Sequence, residues 1–411
     1  MLADHYSRSQ NAEKACKYLK LSGDKATKNY SNWEALRFYK DAIEVLAGQP
    51  ETEESKRRQM EVRLLMACSM LPLGFPEGSL ENLQDGERLS KELGDQKNHA
   101  NFMSLTGQYY AWKGEDLFQA IRYSEDSFKK SEKMDDVELM APIGGDLCLL
   151  YWWAGECLKV IEVTPKVIDL LEKTQKQSEF FGRPYNVYST IHALYAESMG
   201  MLGFFEEAKF LLIKGLDFAL KIQDLFSLAV LESHNGTVRI FGGDAKNAIE
   251  HSKKSIAYCE EGQFSSLLGI PWLNIGWSYC LLGELKKARE CTERGLQIYS
   301  EAGVRYDLGV FYAVLGLINL ESGDLENARR HAGEALKMSQ KIHQKWLEGF
   351  VMIILGRIHG KEKESHTNKA QKCFTQGIEI LTELKLKALF SPGYHYLGEL
   401  YADTGKHNKA L

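Results

Sequence analysis

Apolar residues recur along most of this chain at the spacing of an α-helix that buries one face. Tyr279, Leu282 and Leu285 show this spacing in one segment, and Leu315 and Ile318 show it in another. Strict alternation of apolar and polar residues, which would predict strands, is rare, and the chain contains only 8 prolines. Residues three or four apart share one side of a helix, whereas alternate residues share one face of a strand. The pattern therefore predicts an all-α protein.

Glycines punctuate the helical pattern at an interval of about 40 residues. They are Gly74, Gly114, Gly155, Gly203, Gly243, Gly283, Gly323, Gly360 and Gly405. Small residues recur in phase with them, which allows helix backbones to approach closely. They are Gly107, Ala196, Gly236, Gly276, Gly316 and Gly398 before the glycine and Ala208, Ala248, Ala288, Ala328 and Ala410 after it. The repeat predicts an α-solenoid of about nine or ten antiparallel helix pairs, with the glycines at the tight turns.

The order of these residues resembles the tetratricopeptide repeat (TPR). In that family a large residue, a small residue and an aromatic residue precede the turn, and alanines follow it in the second helix. One copy holds Trp272, Ile275, Gly276, Tyr279, Gly283, Ala288 and Gly295, and another holds Tyr394, Leu397, Gly398, Tyr401, Gly405 and Ala410. The repeats are longer than the usual length of about 34 residues. The resemblance implies stacked helix pairs that curve into a superhelix with a concave surface.

The N-terminal segment, residues 1–47, is less regular but keeps two alanines in phase, Ala15 and Ala35. It resembles the helices that join an ATPase module to a TPR tail in large bacterial signalling proteins, which often carry a class III nucleotide cyclase domain. Residues 48–57 are predicted to be a polar linker. Residues 58–411 are predicted to form the TPR-like superhelix, which we expect to be truncated in its last repeat.

In a TPR the first helix of each pair lines the concave groove, and the resemblance assigns groove positions at fixed distances before the turn glycine. Here these positions include five large aromatic residues, Trp112, Trp152, Trp153, Phe241 and Trp277. The others are Asn101, Ser104, Gln108, Leu149, Thr190, Glu197, Ser233, Thr237 and Leu273. Because none is basic, the predicted groove is apolar, and the aromatic residues are candidate anchors for a protein or peptide segment. The alternative is that Trp152 and Trp277 pack inside the superhelix.

Composition narrows the possible partners and the compartment. The chain of 411 residues has a formal net charge of −5, which argues against nucleic acid and against docking to an acidic membrane surface. Residues 262–283 carry no charge, but their phase with the repeat favours a buried helix over a membrane span. The 8 cysteines form no C-x-x-C pair, which is typical of free thiols in a reducing compartment. We therefore expect a cytoplasmic protein.

Motifs for catalysis are absent from the sequence. Residues 356–362 are the stretch most similar to a phosphate-binding loop. The spacing between its two glycines is one residue too short, and Glu362 stands where the motif has a hydroxyl residue that binds magnesium. The histidines show no zinc-ligand spacing, so we expect no metal and no cofactor. A dispersed Ser-His-Asp or Cys-His site leaves no signature of this kind. The preferred hypothesis is a non-catalytic interaction scaffold or regulatory TPR module of a larger bacterial signalling protein. The alternative is that its parent is an adenylate or guanylate cyclase or an ATPase whose catalytic domains lie outside this chain.

Overall fold

The all-α prediction is confirmed by the computed structural model, which describes residues 11–362 and 367–405. These residues form 19 α-helices, one 3-10 turn and no strand. We number the helices α1 (Ala12–Lys28), α2 (Asn32–Ala47), α3 (Glu53–Met70), α4 (Ser79–Glu92), α5 (Gln96–Trp112), α6 (Leu117–Met134), α7 (Val137–Ala154), α8 (Cys157–Lys173), α9 (Val187–Met201), α10 (Phe205–Ile222), α11 (Leu225–Phe241), α12 (Ala245–Gly262), α13 (Gly269–Leu281), α14 (Leu285–Glu301), α15 (Leu308–Glu321), α16 (Leu325–Lys341), α17 (Lys345–Gly360), α18 (Thr367–Glu383) and α19 (Lys387–Asp403).

The predicted turn glycines end the first helix of each pair, with one exception. A left-handed backbone, with φ between 63° and 94°, occurs at Gly74, Gly114, Gly155, Gly203, Gly243, Gly283, Gly323 and Gly405. Glycine adopts this conformation at little cost and so ends a helix sharply. The prediction is wrong at Gly360, which is the last residue of α17. The helix closes through Lys361, whose N–H bonds to the carbonyls of Arg357 and Ile358.

The small residues in phase with the turns lie where helices touch. Ala208, Ala248, Ala288 and Ala328 each have 0% of their surface exposed. Their small side chains let the two helices of a pair approach, so that the larger apolar residues of both can pack around them. Ala410 and the predicted truncation of the last repeat lie outside the described residues.

The predicted linker, residues 48–57, is partly helical, because α3 begins at Glu53. Thr52 precedes the helix, and its hydroxyl accepts a hydrogen bond from the N–H of Ser55 at 3.1 Å. Glu53 and Glu54 then occupy the first turn, where carboxylates interact favourably with the helix dipole. The charged residues of this segment therefore begin a helix, and only residues 48–52 connect α2 to α3.

The uncharged stretch at 262–283 divides into a connection and the short helix α13 (Gly269–Leu281). No helix in the described part of the chain is long and apolar enough to cross a membrane. All eight cysteines are free thiols, and six of them are buried.

The superhelix closes on itself, so that repeats far apart in sequence touch across its interior. The hydroxyl of Tyr306 and the indole N–H of Trp346 both donate to the carbonyl of Trp153, at 2.5 Å and 3.0 Å. The N–H of Arg305 donates to the carbonyl of Trp112 at 3.2 Å. These contacts narrow the concave side from an open groove to a channel, which holds the candidate site.

Candidate binding channel

Three adjoining cavities follow the interior of the superhelix. The N-terminal chamber, of about 130 Å³, is bordered by α5, α7, α9 and α11 and by the connection before α15. The central chamber, of about 50 Å³, shares Trp152, Trp153 and Asp307 with it. The C-terminal chamber, of about 580 Å³, lies among α11, α13, α15, α17 and α19 and shares Phe241 and Trp277 with the central chamber. We call the three together the channel.

All five aromatic residues proposed as anchors border this channel. Trp112 lines the N-terminal chamber, Trp152 and Trp153 line the N-terminal and central chambers, and Phe241 and Trp277 line the central and C-terminal chambers. Trp112, Trp153 and Trp277 are 6%, 5% and 8% exposed, and the other two are half-buried. These aromatic residues therefore pack inside the superhelix and also line its channel, because the cavities lie within the packed interior.

Aromatic contacts hold the channel wall together. The ring of Trp153 lies 4.2 Å from that of Tyr306 in a stacked arrangement and 5.4 Å from that of Trp112, edge to face. Farther along, Trp277 contacts Phe241 at 6.0 Å and Phe350 at 5.4 Å between ring centroids. Such pairs contribute roughly 0.5–1.5 kcal/mol beyond the area they bury. The wall is therefore preorganised in the absence of a ligand.

Two acids and a histidine interrupt the apolar lining. Glu197, on α9, and His234, on α11, form a contact of 2.7 Å between the Glu197 carboxylate and Nδ1 of His234. Asp307 borders the N-terminal and central chambers and is only 8% exposed. Burial, together with the nearby charge of Glu197, raises the pKa of Asp307 to about 8. Glu197 was a predicted groove position, whereas Asp307 was missed because it precedes its helix.

Asp307 occupies the N-cap position of α15 but does not cap it. Its side chain accepts no hydrogen bond from the first turn of the helix. The aspartates before the neighbouring second helices behave differently, since Asp244 and Asp324 accept hydrogen bonds from the N–H groups of Asn247 and Asn327. An aspartate at this position normally satisfies a free N–H of the helix. Its carboxylate is thus available to the channel rather than engaged by the backbone.

A third buried acid, behind the wall of the N-terminal chamber, is paired with an arginine. Arg183, in the connection between α8 and α9, donates to Asp146 of α7 at 2.6 Å, and their side chains are 1% and 0% exposed. Asp146 also accepts hydrogen bonds from Ser104 at 2.8 Å and from Tyr185 at 3.2 Å. The carboxylate of Asp146 raises the pKa of Arg183 and keeps it charged. Tyr185 borders the chamber, so this network shapes the wall.

The C-terminal chamber is mostly apolar but is bordered by one arginine that is not at a predicted groove position. Arg357 pairs with Glu321 at 2.6 Å and lies 4.2 Å from the ring centroid of Tyr396. Ile353, Ile354, Leu389 and Pro392 supply much of the remaining lining. In the described residues, no group of three or more His, Cys, Asp or Glu side chains could hold a metal ion.

The raised pKa of Asp307 predicts a pH-dependent stability. Its pKa is about 8 in the folded chain against an ordinary value of 3.8, so between these values the folded chain holds a proton that the unfolded chain releases. Stability therefore falls as the pH rises through this window and levels off above pH 8. Asp307→Asn removes the cost of ionising a buried carboxyl group. We therefore expect the variant to be more stable than the wild type by a margin that is roughly 2 kcal/mol larger at about pH 8 than at about pH 6. Urea titrations at the two pH values measure this difference.

Asp324→Asn is the matched control for this prediction. Asp324 caps α16, its bonds to Asn327 lower its pKa, and asparagine can cap a helix equally well. A pH-independent effect of Asp307→Asn, indistinguishable from that of Asp324→Asn, would contradict the burial of an unpaired carboxylate at position 307.

The fold defines this protein as a TPR-like α-solenoid. No family model matches the chain, and no curated protein matches it. Among solved structures, it is similar to a Rap protein complexed with Competence and Sporulation Factor, with 16% identity and a TM-score of 0.60 over 96% of this chain and 100% of the other. It is also similar to NprR in complex with its cognate peptide NprX, with 14% identity and a TM-score of 0.59 over 89% of this chain and 99% of the other. At these identities the likeness shows the fold.

Proposed function

We propose that this chain is a non-catalytic interaction module that holds a peptide segment of a partner protein in the channel. The observation that carries the proposal is the run of three adjoining chambers bordered by Trp112, Trp152, Trp153, Phe241 and Trp277. The solved structure of NprR, which has a similar fold, contains its cognate peptide NprX. This supports a peptide as the ligand of the present chain. Aromatic residues in a desolvated pocket are the usual anchors of such interfaces.

The sizes of the chambers support an extended segment that enters from the C-terminal side. The C-terminal chamber, of about 580 Å³, is in the range of pockets that hold a drug-sized ligand or several side chains. The N-terminal and central chambers, of about 130 Å³ and 50 Å³, suit single side chains rather than a backbone. A bound segment would lie along Phe241 and Trp277 and send one side chain inward toward Trp152 and Trp153.

We also propose, from the resemblance of residues 1–47, that the module regulates a larger bacterial signalling protein in the cytoplasm. Its ATPase or class III nucleotide cyclase domain would then lie outside this chain. An in-frame ATPase or cyclase in the coding sequence upstream would support this parent, and a coding sequence that holds neither would contradict it. The proposal of peptide binding does not depend on this parent.

The test of peptide binding uses short random peptides displayed on phage and selected on the full chain. We expect Trp277→Ala and Phe241→Ala to weaken a selected peptide by about 2 kcal/mol each, which is roughly 30-fold in Kd. Fluorescence anisotropy of the labelled peptide gives the Kd. Because Trp277 and Phe241 contribute apolar contacts, the loss caused by each substitution should change little between low and moderate salt.

Two exposed aromatic residues provide matched controls. Trp33 is 64% exposed and Phe210 is 67% exposed, and neither borders the channel, so Trp33→Ala and Phe210→Ala should leave the Kd unchanged. If the channel variants unfold, Ala388→Trp is the second test, because it adds bulk at the half-buried rim of the C-terminal chamber and should block binding. Selected peptides that bind all these variants equally, or a library that yields no binder, would contradict the proposal.

A further inference from the structure

The Asp307 carboxylate is an acidic group of the channel that receives no hydrogen bond or ion pair from the described part of the chain. It is buried, it borders two chambers, and no side chain or N–H in the described part of the chain donates a hydrogen bond to it. A buried carboxylate without a partner is costly. A protein that keeps such a group at the edge of a cavity has a site for a ligand that can satisfy it.

The groups around Asp307 do not supply a positive charge. The ionisable side chains that border the same two chambers are Glu197, His234, Tyr185, Tyr299 and Tyr306. Neither chamber is bordered by a lysine or arginine among the described residues. His234 already contacts Glu197 at 2.7 Å, and the hydroxyl of Tyr306 donates a hydrogen bond to the carbonyl of Trp153. The lining is therefore acidic and aromatic at this point.

Asp146 is a buried carboxylate of the same interior to which the chain supplies a cation of its own. It receives a guanidinium from Arg183 and two hydroxyl hydrogen bonds, from Ser104 and Tyr185. Asp307, in the same interior, has no such set. The position beside Asp307 is therefore open to a cation supplied by a ligand.

The aromatic residues near Asp307 also favour a ligand that carries a positive charge. Trp152 and Trp153 border both chambers that Asp307 borders, and indole rings attract ammonium and guanidinium groups through their π faces. These ring faces would therefore favour a cationic group beside Asp307.

We propose that the junction of the N-terminal and central chambers is a cation subsite that binds the ammonium or guanidinium group of a ligand against Asp307, between Trp152 and Trp153. The proposal rests on the proposed function, in which the ligand is a peptide segment and the group is a lysine or arginine side chain or an amino terminus. The single side chain that the small chambers can hold is then a basic one.

The experiment compares a selected basic peptide with its neutral form. Lysine is replaced by norleucine, arginine by citrulline, and the amino terminus is acetylated in turn. For the wild-type chain we expect the neutral form to bind at least about tenfold more weakly, which is the usual effect of losing a charged hydrogen bond. Asp307→Asn should abolish this difference, whereas the capping variant Asp324→Asn should keep it. Glu197→Gln, which leaves Asp307 in place, should reduce the difference without abolishing it.

The affinity for the basic peptide should also rise with pH. Asp307 holds a proton at neutral pH because its pKa is raised to about 8, and it must release the proton to pair with a cation. Binding should therefore strengthen from about pH 6 to about pH 8 for the wild-type chain and stay constant in Asp307→Asn. His234, in contact with Glu197, borders the N-terminal chamber as well, so His234→Gln should keep the rise if Asp307 causes it.

A second probe separates this inference from peptide binding itself. Butylammonium, titrated without peptide, should bind the wild-type chain and not Asp307→Asn, and such binding would support the cation subsite even if no peptide were selected. Stronger binding of spermidine than of any basic peptide would support the subsite and assign its cation to a free amine. Equal binding of basic and neutral peptides by the wild-type chain, with butylammonium inert, would overturn the subsite and leave the peptide channel standing.

Discussion

Gly276→Leu is expected to disrupt the pair formed by α13 and α14. A Cβ atom at position 276 would lie 2.1 Å from the hydroxyl oxygen of Thr292 and 2.9 Å from the carbonyl oxygen of Ala288. The second of these atoms belongs to the backbone of the partner helix and can move only if the whole helix moves. We expect a loss of about 3 kcal/mol or more, at the upper end of what overpacking costs. Urea unfolding followed by circular dichroism measures the loss.

An exposed glycine, Gly333, provides the control for this prediction. Gly333 lies on the exposed face of α16, and beyond the adjacent backbone of its own helix no atom of the described residues lies within 4 Å of an added Cβ. Gly333→Leu should therefore be neutral or stabilising by roughly 0.5 kcal/mol. Hydrogen exchange should show the Gly276 variant opening at α13 and α14 first, because a repeat array can unfold locally. Equal urea midpoints for the two variants would mean that the helix contact at Gly276 is wrongly assigned.

Gly316 shows that the repeat predicts which helices are in contact but not the distance between them. Gly276 and Gly316 occupy the same position of successive repeats, and the sequence alone treats them as equivalent. An added Cβ at Gly316 would have its nearest neighbour at 3.4 Å. The partner helix lies farther away there, and Ala332 stands where the other repeat has Thr292. Gly316→Ala should therefore be tolerated, whereas Gly276→Ala should not. The period predicts which helices touch, and the individual side chains decide how closely.

The turns between successive pairs were not predicted, because most of them lack glycine. Asp135, Gln223 and Gln263 adopt the left-handed conformation there, with φ between 50° and 57°. Such residues do so at a cost of about 1 kcal/mol each, which the packing of the helices on either side compensates. The spacing of the glycines therefore predicts the turn within each helix pair but not the turn between successive pairs.

The lining of the channel could be predicted only in part. The phase of the repeat placed Trp112, Trp153 and Trp277 on the concave side, since that depends on local helix geometry. It could not bring Asp307 or Arg183 to the same interior, because both lie in connections between helices. Their positions depend on the closure of the superhelix, in which the Trp153 carbonyl receives hydrogen bonds from residues more than a hundred positions away. Long-range closure of this kind has no signal in a local pattern.

Arg183→Met is expected to destabilise the chain strongly, because it leaves Asp146 charged and buried without its guanidinium. The two side chains are 1% and 0% exposed and lie 2.6 Å apart. Removing one partner of a buried pair typically costs about 3–5 kcal/mol, most of it the penalty of the charge left behind. Ser104 and Tyr185 still donate to Asp146, so the loss should fall toward the lower end of this range. Urea midpoints of the wild type and the variant measure it.

A double-mutant cycle separates the charge penalty from the loss of packing. If the penalty arises from the unpaired carboxylate, adding Asp146→Asn to Arg183→Met should restore much of the lost stability, because an amide can keep hydrogen bonds to the two hydroxyls without a buried charge. The exposed pair of Arg58 and Glu54, on one face of α3, is the control, and Arg58→Met should change little. Additive losses in the cycle would contradict a buried ion pair. Recovery in the double variant would show that Arg183 neutralises Asp146 in the same interior where Asp307 has no partner of its own.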